Sequence, residues 1–160
     1  KALGIRVKAD TRDMSPGWKF NEWEMKGVPL RIEIGPRDIE NNVAMVARRD
    51  TLEKFTVSLD TLDKEILTLL DTIQNDMFTK SKAMRDSRII KCKTIDEIKE
   101  AVDNGCFALA SWCGDRACED KVKELLQATT RVMQDGELVS ETCAICGEKA
   151  KTNVIFARAY

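Results

Sequence analysis

An α/β fold in two units is what this 160-residue sequence predicts, and three observations carry the prediction. Between residues 30 and 48, apolar side chains alternate from Leu30 to Ile34 and a second short apolar run, residues 43–48, follows the breaks at Gly35-Pro36 and Asn41-Asn42, the pattern of paired strands. Leu59, Leu62, Ile66, Leu69, Ile73 and Met77 then recur at spacings of three and four, the pattern of a long amphipathic helix. After Thr94 a second series of helix and strand signals begins, with its own stops and its own cysteines.

In chain order, residues 4–10 alternate with Ile5, Val7 and Ala9 on one side, and the cluster Asp13-Met14-Ser15-Pro16-Gly17 ends them. This run is expected to be a strand of the same sheet as the next two. The segment from residue 18 ends at Gly27, because Val28 precedes Pro29 and is pushed to extended geometry. Leu30, Ile32 and Ile34 alternate with Arg31, Glu33 and Gly35, so the apolar three are expected to face the core. Residues 43–48 should return antiparallel, Arg48-Arg49-Asp50-Thr51 turn the chain, and residues 55–59 return again. Ser58 or Asp60 can cap the long helix. Its far end carries Lys80, Lys82, Arg85, Arg88, Lys91 and Lys93, read as a solvated face that suits the helix dipole.

The second unit opens on Thr94-Ile95-Asp96-Glu97, a capping box, with Ile95, Ile98 and Val102 inward and Asn104-Gly105 as the stop. Residues 106–112 read as a buried strand. Residues 119–129 read as a helix with Val122, Leu125 and Leu126 inward, and residues 153–160 as a final strand. The units are joined around residues 91–93, so the expected domains are 1–92 and 93–160.

Composition narrows the chemistry. The chain contains no histidine, which removes histidine acid/base catalysis, serine triads and mixed Cys/His metal sites. A formal net charge of -1 means that any contact with nucleic acid must come from local patches. No apolar run has the length of a membrane span and no signal peptide precedes the globular pattern, so the expected location is the cytoplasm.

Cys113, Cys118, Cys143 and Cys146 form two close pairs separated by a helix-sized insert. A Cys-x2-Cys-Gly knuckle lets two thiolates converge on one ion, and Gly147 relieves the tight turn. Four thiolates suit Zn(II) in a closed, structural site. Two disulfides, a redox pair or unrelated buried thiols are the competing readings, and the spacing favours zinc over them. Cys92 and Cys106 lie outside both pairs and read as ordinary buried thiols.

The stretch GWKFNEWEMKGVPLRIEIGPRDIEN resembles the anticodon-binding domain of a class II aminoacyl-tRNA synthetase, and its GWKFNEWE portion is similar to the prolyl-tRNA synthetases of the archaeal and eukaryotic type. SWCGDRACED and TCAICGEKAK resemble the zinc-binding C-terminal domain of the same type, so the resemblance covers essentially the whole chain. It implies a mixed-sheet anticodon-binding domain followed by a small zinc-binding α/β domain, with Cys113, Cys118, Cys143 and Cys146 as ligands. It also implies a strand and a helix ahead of Lys1, hence an N-terminally truncated first domain. The catalytic domain that uses ATP and Mg(II), and through which such enzymes form homodimers, would lie outside these residues. The partner implied is the anticodon loop of tRNA(Pro). Ala159-Tyr160 agrees with an aromatic-tipped tail that the family packs against its catalytic domain, or is simply the end of an edge strand.

The resemblance also implies four anticodon-binding residues. Proline anticodons hold two adjacent guanines, whose N1-H and N2-H a carboxylate accepts and whose O6 and N7 a cation donates to. Glu24, Arg31 and Lys54 match positions that do this, and Phe20 matches a stacking position. Glu22 and Arg37 are neighbours of the same chemistry. The other readings are a freestanding zinc-stabilised module for another RNA or a protein, and a thiol redox protein using Cys143 and Cys146.

Overall fold

In the computed structural model, which describes residues 3–158, the chain divides between Lys80 and Ser81 into two compact units. The first begins differently from expectation. Residues 5–11 form no regular element and pair with no strand. Their polar groups are tied to the following helix instead, because Asp10 accepts from the Trp23 indole at 2.8 Å and Arg12 reaches Glu22 at 2.7 Å, while Val7 stays 56% exposed. A run with no strand beside it has no ladder to join.

Helix α1 (Pro16–Met25) starts on a proline, whose missing N–H would be unpaired there in any case. It stops at Gly27, whose φ of +80° only glycine adopts cheaply, and the Val28 N–H closes the end on the Trp23 carbonyl at 3.0 Å. Strands β1 (Leu30–Glu33), β2 (Val43–Arg48) and β3 (Lys54–Ser58) form an antiparallel sheet in that order, with the short helix α2 (Pro36–Glu40) between the first two. Helix α3 (Leu62–Asp86) follows. The Thr61 carbonyl takes its first bond, from the Glu65 N–H at 3.0 Å, while Asp60 accepts from Asn42 rather than capping the helix.

Register sets the two faces of this sheet. Arg31 lies opposite Ala47, which lies opposite Lys54, so both cations share one face, and Ile32, Val46 and Phe55 share the other. The expectation that Leu30, Ile32 and Ile34 are the buried side of β1 is overturned: Ile32 and Ile34 are 39% and 52% exposed, while Arg31 and Glu33 are half-buried. The cause is where the helices lie. Helix α1 covers the polar face through Phe20 and Glu24, and α3 reaches the apolar face at β2, where Arg48 bonds Asp76 at 2.7 Å. Ala44 and Val46 at the centre are therefore sealed and the β1 margin is not. Along α3 the apolar stripe is only half-buried except at Ile73, and Met77 is 48% exposed.

The second unit holds a four-stranded sheet in the order β4 (Ile89–Cys92), β5 (Phe107–Trp112), β7 (Thr152–Arg158), β6 (Ala128–Gln134). The β4–β5 pair is parallel and the others antiparallel. Helix α4 (Ile95–Asp103) supplies the parallel crossover, and its box closes with a shift: Thr94 accepts from the Glu97 N–H as expected, but the Glu97 carboxylate takes the Lys93 N–H at 2.5 Å. Helix α5 (Arg116–Leu126) begins three residues before residue 119, because Asp115 caps it by accepting from Ala117 at 2.9 Å. It ends earlier too. Gln127 adopts φ +53° and turns the chain into β6, which with β4 was not anticipated from the sequence. Cys118, Val122 and Leu126, spaced by four, form the buried line of α5, and Leu125, expected inward, is 61% exposed.

Phe156, Ile98, Val122, Val154 and Cys92 fill the core of this unit. Cys106 is only partly buried, unlike Cys92. The terminal pair Ala159-Tyr160 lies outside the described residues. No described helix is long and apolar enough to cross a membrane.

Candidate nucleic-acid interface and metal centre

Phe20, Glu24, Arg31 and Lys54 line one cavity of about 270 Å³ in the first unit, together with Trp23 and Leu52. The sequence places them on three different elements and the register explains why they meet. Arg31 and Lys54 project from β1 and β3 toward the face that α1 covers, and Phe20 and Glu24, one helical turn apart, look back at them. The Arg31 guanidinium stacks 3.8 Å from the Phe20 ring centroid, and the Lys54 ammonium lies 5.8 Å from it.

The cations are also held by acids. Arg31 Nη1 bonds Glu24 Oε1, and Arg31 Nε donates to Glu33 Oε1 at 2.9 Å. Lys54 Nζ stands 3.8 Å from the same Glu33 oxygen. The cavity lining thus holds one acid, Glu24, and four cations, Arg31, Arg48, Arg49 and Lys54, with a carboxylate, a guanidinium and an aromatic face near one another, which suits hydrogen bonding and stacking of a planar base. Glu33, which is not part of that lining but engages both Arg31 and Lys54, is the residue that sequence reasoning passed over. Its place on the same side as Arg31 was visible in the alternation, but not that this side is the covered one.

Glu22, one of the two neighbours, is engaged elsewhere, with Arg12 at 2.7 Å and with Lys26. Bonds from Lys26 and Arg12 hold its carboxyl below the usual range. Arg37 sits on α2, outside the cavity lining.

In the second unit Cys113, Cys118, Cys143 and Cys146 bring their sulfurs within 4.8 Å of one another. Cys113 directly follows β5, Gly114 turns the chain at φ +84°, and Cys118 stands in the first turn of α5. Cys143 and Cys146 form a knuckle in which the Gly147 N–H returns to the Cys143 carbonyl at 3.0 Å, with Gly147 at φ +79°. The knuckle is pinned to β5 by the Ala144 N–H on the Ser111 carbonyl, at 3.0 Å.

Sulfur separations of 3.6 Å (Cys113–Cys118) and 3.8 Å (Cys113–Cys146) are those of free thiols, far beyond a disulfide bond. Four ligands at about 2.3 Å from one Zn(II) would have their sulfurs about 3.8 Å apart, so this donor set fits a closed tetrahedral metal site. Burial pushes the Cys113 and Cys118 thiols up. Cys143 is pushed up by burial as well, but N–H groups of Cys146 and Ile145 aimed at its sulfur outweigh that and bring it down to about 7.

Comparison with known proteins places both units. Residues 95–160 match the family described as prolyl-tRNA synthetase, C-terminal, and residues 1–69 match the anticodon binding domain family. Over nearly its whole length the chain resembles the C-terminal part of prolyl-tRNA synthetases. A proline--tRNA ligase of Alkaliphilus oremlandii is 54% identical over 159 residues, and one of Clostridium botulinum is 49% identical over 158; each match takes in 98% of this chain and 33% of the relative. The crystal structure of a prolyl-tRNA synthetase from Cryptosporidium parvum complexed with L-proline and AMP superposes with a TM-score of 0.88 at 34% identity, over 99% of this chain and 34% of that one. The chain spans about a third of the length of these relatives.

In the second unit, sequence reasoning also passed over the pair that secures the loop leading to the knuckle. Ser111 and Asn153, opposite each other on β5 and β7, are fully or almost fully buried. Ser111 Oγ donates to Asn153 Oδ1 at 2.9 Å and accepts from the Ser140 N–H at 2.9 Å. Asn153 accepts from the Val139 N–H at 3.1 Å and donates to the Glu137 carbonyl at 2.9 Å. The available signal was a serine and an asparagine inside otherwise apolar strands.

Proposed function

We propose that the chain reads the anticodon of tRNA(Pro) for a proline--tRNA ligase. The observation that carries this reading is the convergence of Phe20, Glu24, Arg31 and Lys54 on one cavity within the unit that matches an anticodon binding domain. Glu24 accepts from the N1-H and N2-H of an anticodon guanine, Arg31 and Lys54 donate to guanine O6 and N7, and Phe20 stacks. On this reading the recognition domain is residues 1–92 and the metal domain residues 93–160; β4, at the junction, pairs with β5 of the second sheet. Cys113, Cys118, Cys143 and Cys146 hold a structural Zn(II), which leaves no open position for a substrate.

The parent activity on this reading is ATP-dependent attachment of proline to tRNA in the cytoplasm. It is performed by a class II catalytic domain outside these residues, where ATP and Mg(II) bind and a homodimer forms.

The test is binding of the chain, at fixed moderate salt, to a stem-loop carrying the proline anticodon and to one whose two guanines are replaced by adenines. Preference for the guanine loop that is lost in Glu24→Ala supports anticodon reading. Equal, salt-sensitive binding to both loops would overturn it.

A further inference from the structure

Arg31 is held by two carboxylates at once. Glu24 takes Nη1 and Glu33 takes Nε at 2.9 Å, from opposite directions along the sequence, one on the covering helix and one on the same strand. The chemistry of the first pairing matters for recognition. A guanidinium offers a carboxylate adjacent N–H donors, which is also what the N1-H and N2-H edge of guanine offers. In the free protein Arg31 Nη1 occupies one oxygen, Oε1, of the carboxylate that guanine needs, and binding is an exchange in which Glu24 trades a guanidinium for a base edge.

An exchange of this kind needs somewhere for the displaced cation to stay. Glu33 provides it, because its carboxylate lies on the strand beside Arg31 and faces Lys54 Nζ 3.8 Å away, so it can retain both cations in the cavity after Glu24 has turned to the base. Arg31 is only 17% exposed, and its ring stacking on Phe20 at 3.8 Å leaves it little room to retreat to water. We propose that Glu33 is a positioning residue of the cleft, which holds Arg31 through its Nε and so releases Glu24 to accept guanine. Without Glu33, Glu24 is the sole carboxylate partner of Arg31 and stays closed to the base, while Arg31 and Lys54 lose a shared counter-charge and attract any phosphate more strongly.

This rests on the anticodon reading above, and its test separates the two. The affinity ratio between the guanine and adenine stem-loops is measured at one salt concentration for the wild-type chain, Glu33→Gln and Glu33→Asp, and solvent exchange of the Arg31 Nε–H is followed by NMR without RNA. Glu33→Gln is expected to lower the ratio roughly tenfold, the scale of one charge-assisted hydrogen bond, without weakening binding to the adenine loop. Faster exchange of the Arg31 Nε–H is expected in the same variant. Glu33→Asp keeps the charge on a shorter arm and is expected to give an intermediate ratio.

A wild-type ratio well above one that is unchanged in Glu33→Gln overturns the role of Glu33 and leaves anticodon reading standing. Unchanged Nε–H exchange overturns it as well. If Glu33→Gln does not fold, an unchanged ratio in Glu33→Asp has the same force. No discrimination by the wild-type chain overturns the anticodon reading, and this proposal with it.

Discussion

At the scale of single residues, the hydrogen bonds that matter most are those of groups denied any alternative. The Ser111 hydroxyl is completely buried and the Ser140 N–H has turned to it rather than to water. Ser111→Ala leaves that N–H without its acceptor and takes a donor from Asn153. The expected loss is about 1–3 kcal/mol, read as a lower urea midpoint for the second unit with an unchanged slope. The hydroxyl hydrogen-bonds to Asn153 and Ser140 and to no cysteine, so metal content is expected to stay the same in the folded variant. Arg31 shows the opposite case, since its half-buried position on β1 follows from the element that covers it and not from its own preference.

At the scale of elements, the segment before α1 is held by charge and by aromatic faces. Arg12 reaches Asp10 at 2.6 Å and Glu22 at 2.7 Å, and lies over the rings of Trp18 and Trp23 at 5.4 and 6.0 Å. Bonds from Arg12 and from the Trp23 indole hold the Asp10 carboxyl well below the usual range, and Glu22 is depressed by its bonds from Lys26 and Arg12. Both folded values lie below the unfolded ones, so the contribution of these groups is complete above the ordinary carboxylate range and is lost as pH falls through the folded values. The expected outcome is that the Trp23 indole N–H resonance keeps its position from neutral pH down to about 4 and moves toward its free value only in stronger acid. The segment is thus docked by side chains, where its alternation had suggested a ladder.

At the scale of the molecule, the two units draw on different sources of stability. In the first, α1 and α3 are tied to a three-stranded sheet by side-chain bonds, Glu24–Arg31 and Asp76–Arg48, and the buried centre is Ala44 and Val46. In the second, the long connection between β6 and β7 contains little regular structure and depends on the knuckle, the Ser111–Asn153 pair and whatever the four sulfurs hold. Bound metal is folding energy for such a unit. Chelation is therefore expected to lower the melting transition of the second unit by at least about 10 °C, to leave that of the first near its original temperature, and to be reversed by added Zn(II). Calorimetry with the ion removed and restored checks this, and a single transition that ignores the chelator would overturn the structural role of the metal.

Much of this was legible along the chain. The antiparallel return of residues 43–48, the box at Thr94 and the strand entering Cys113 are local matters, decided by residue period and by turn chemistry within a few positions. The cysteine set was legible for the same reason, since a Cys-x2-Cys-Gly knuckle builds half of a metal site from neighbours alone. What alternation could not settle was which face of β1 is covered, because period two separates the faces and says nothing of the helix that will lie on either. Nor could local pattern show residues 5–11 leaving the sheet or the helix at 116 ending early to make room for β6. Those outcomes belong to the tertiary structure, where a strand exists only if another accepts its hydrogen bonds and an arginine becomes part of a cleft only when two acids and a ring close around it.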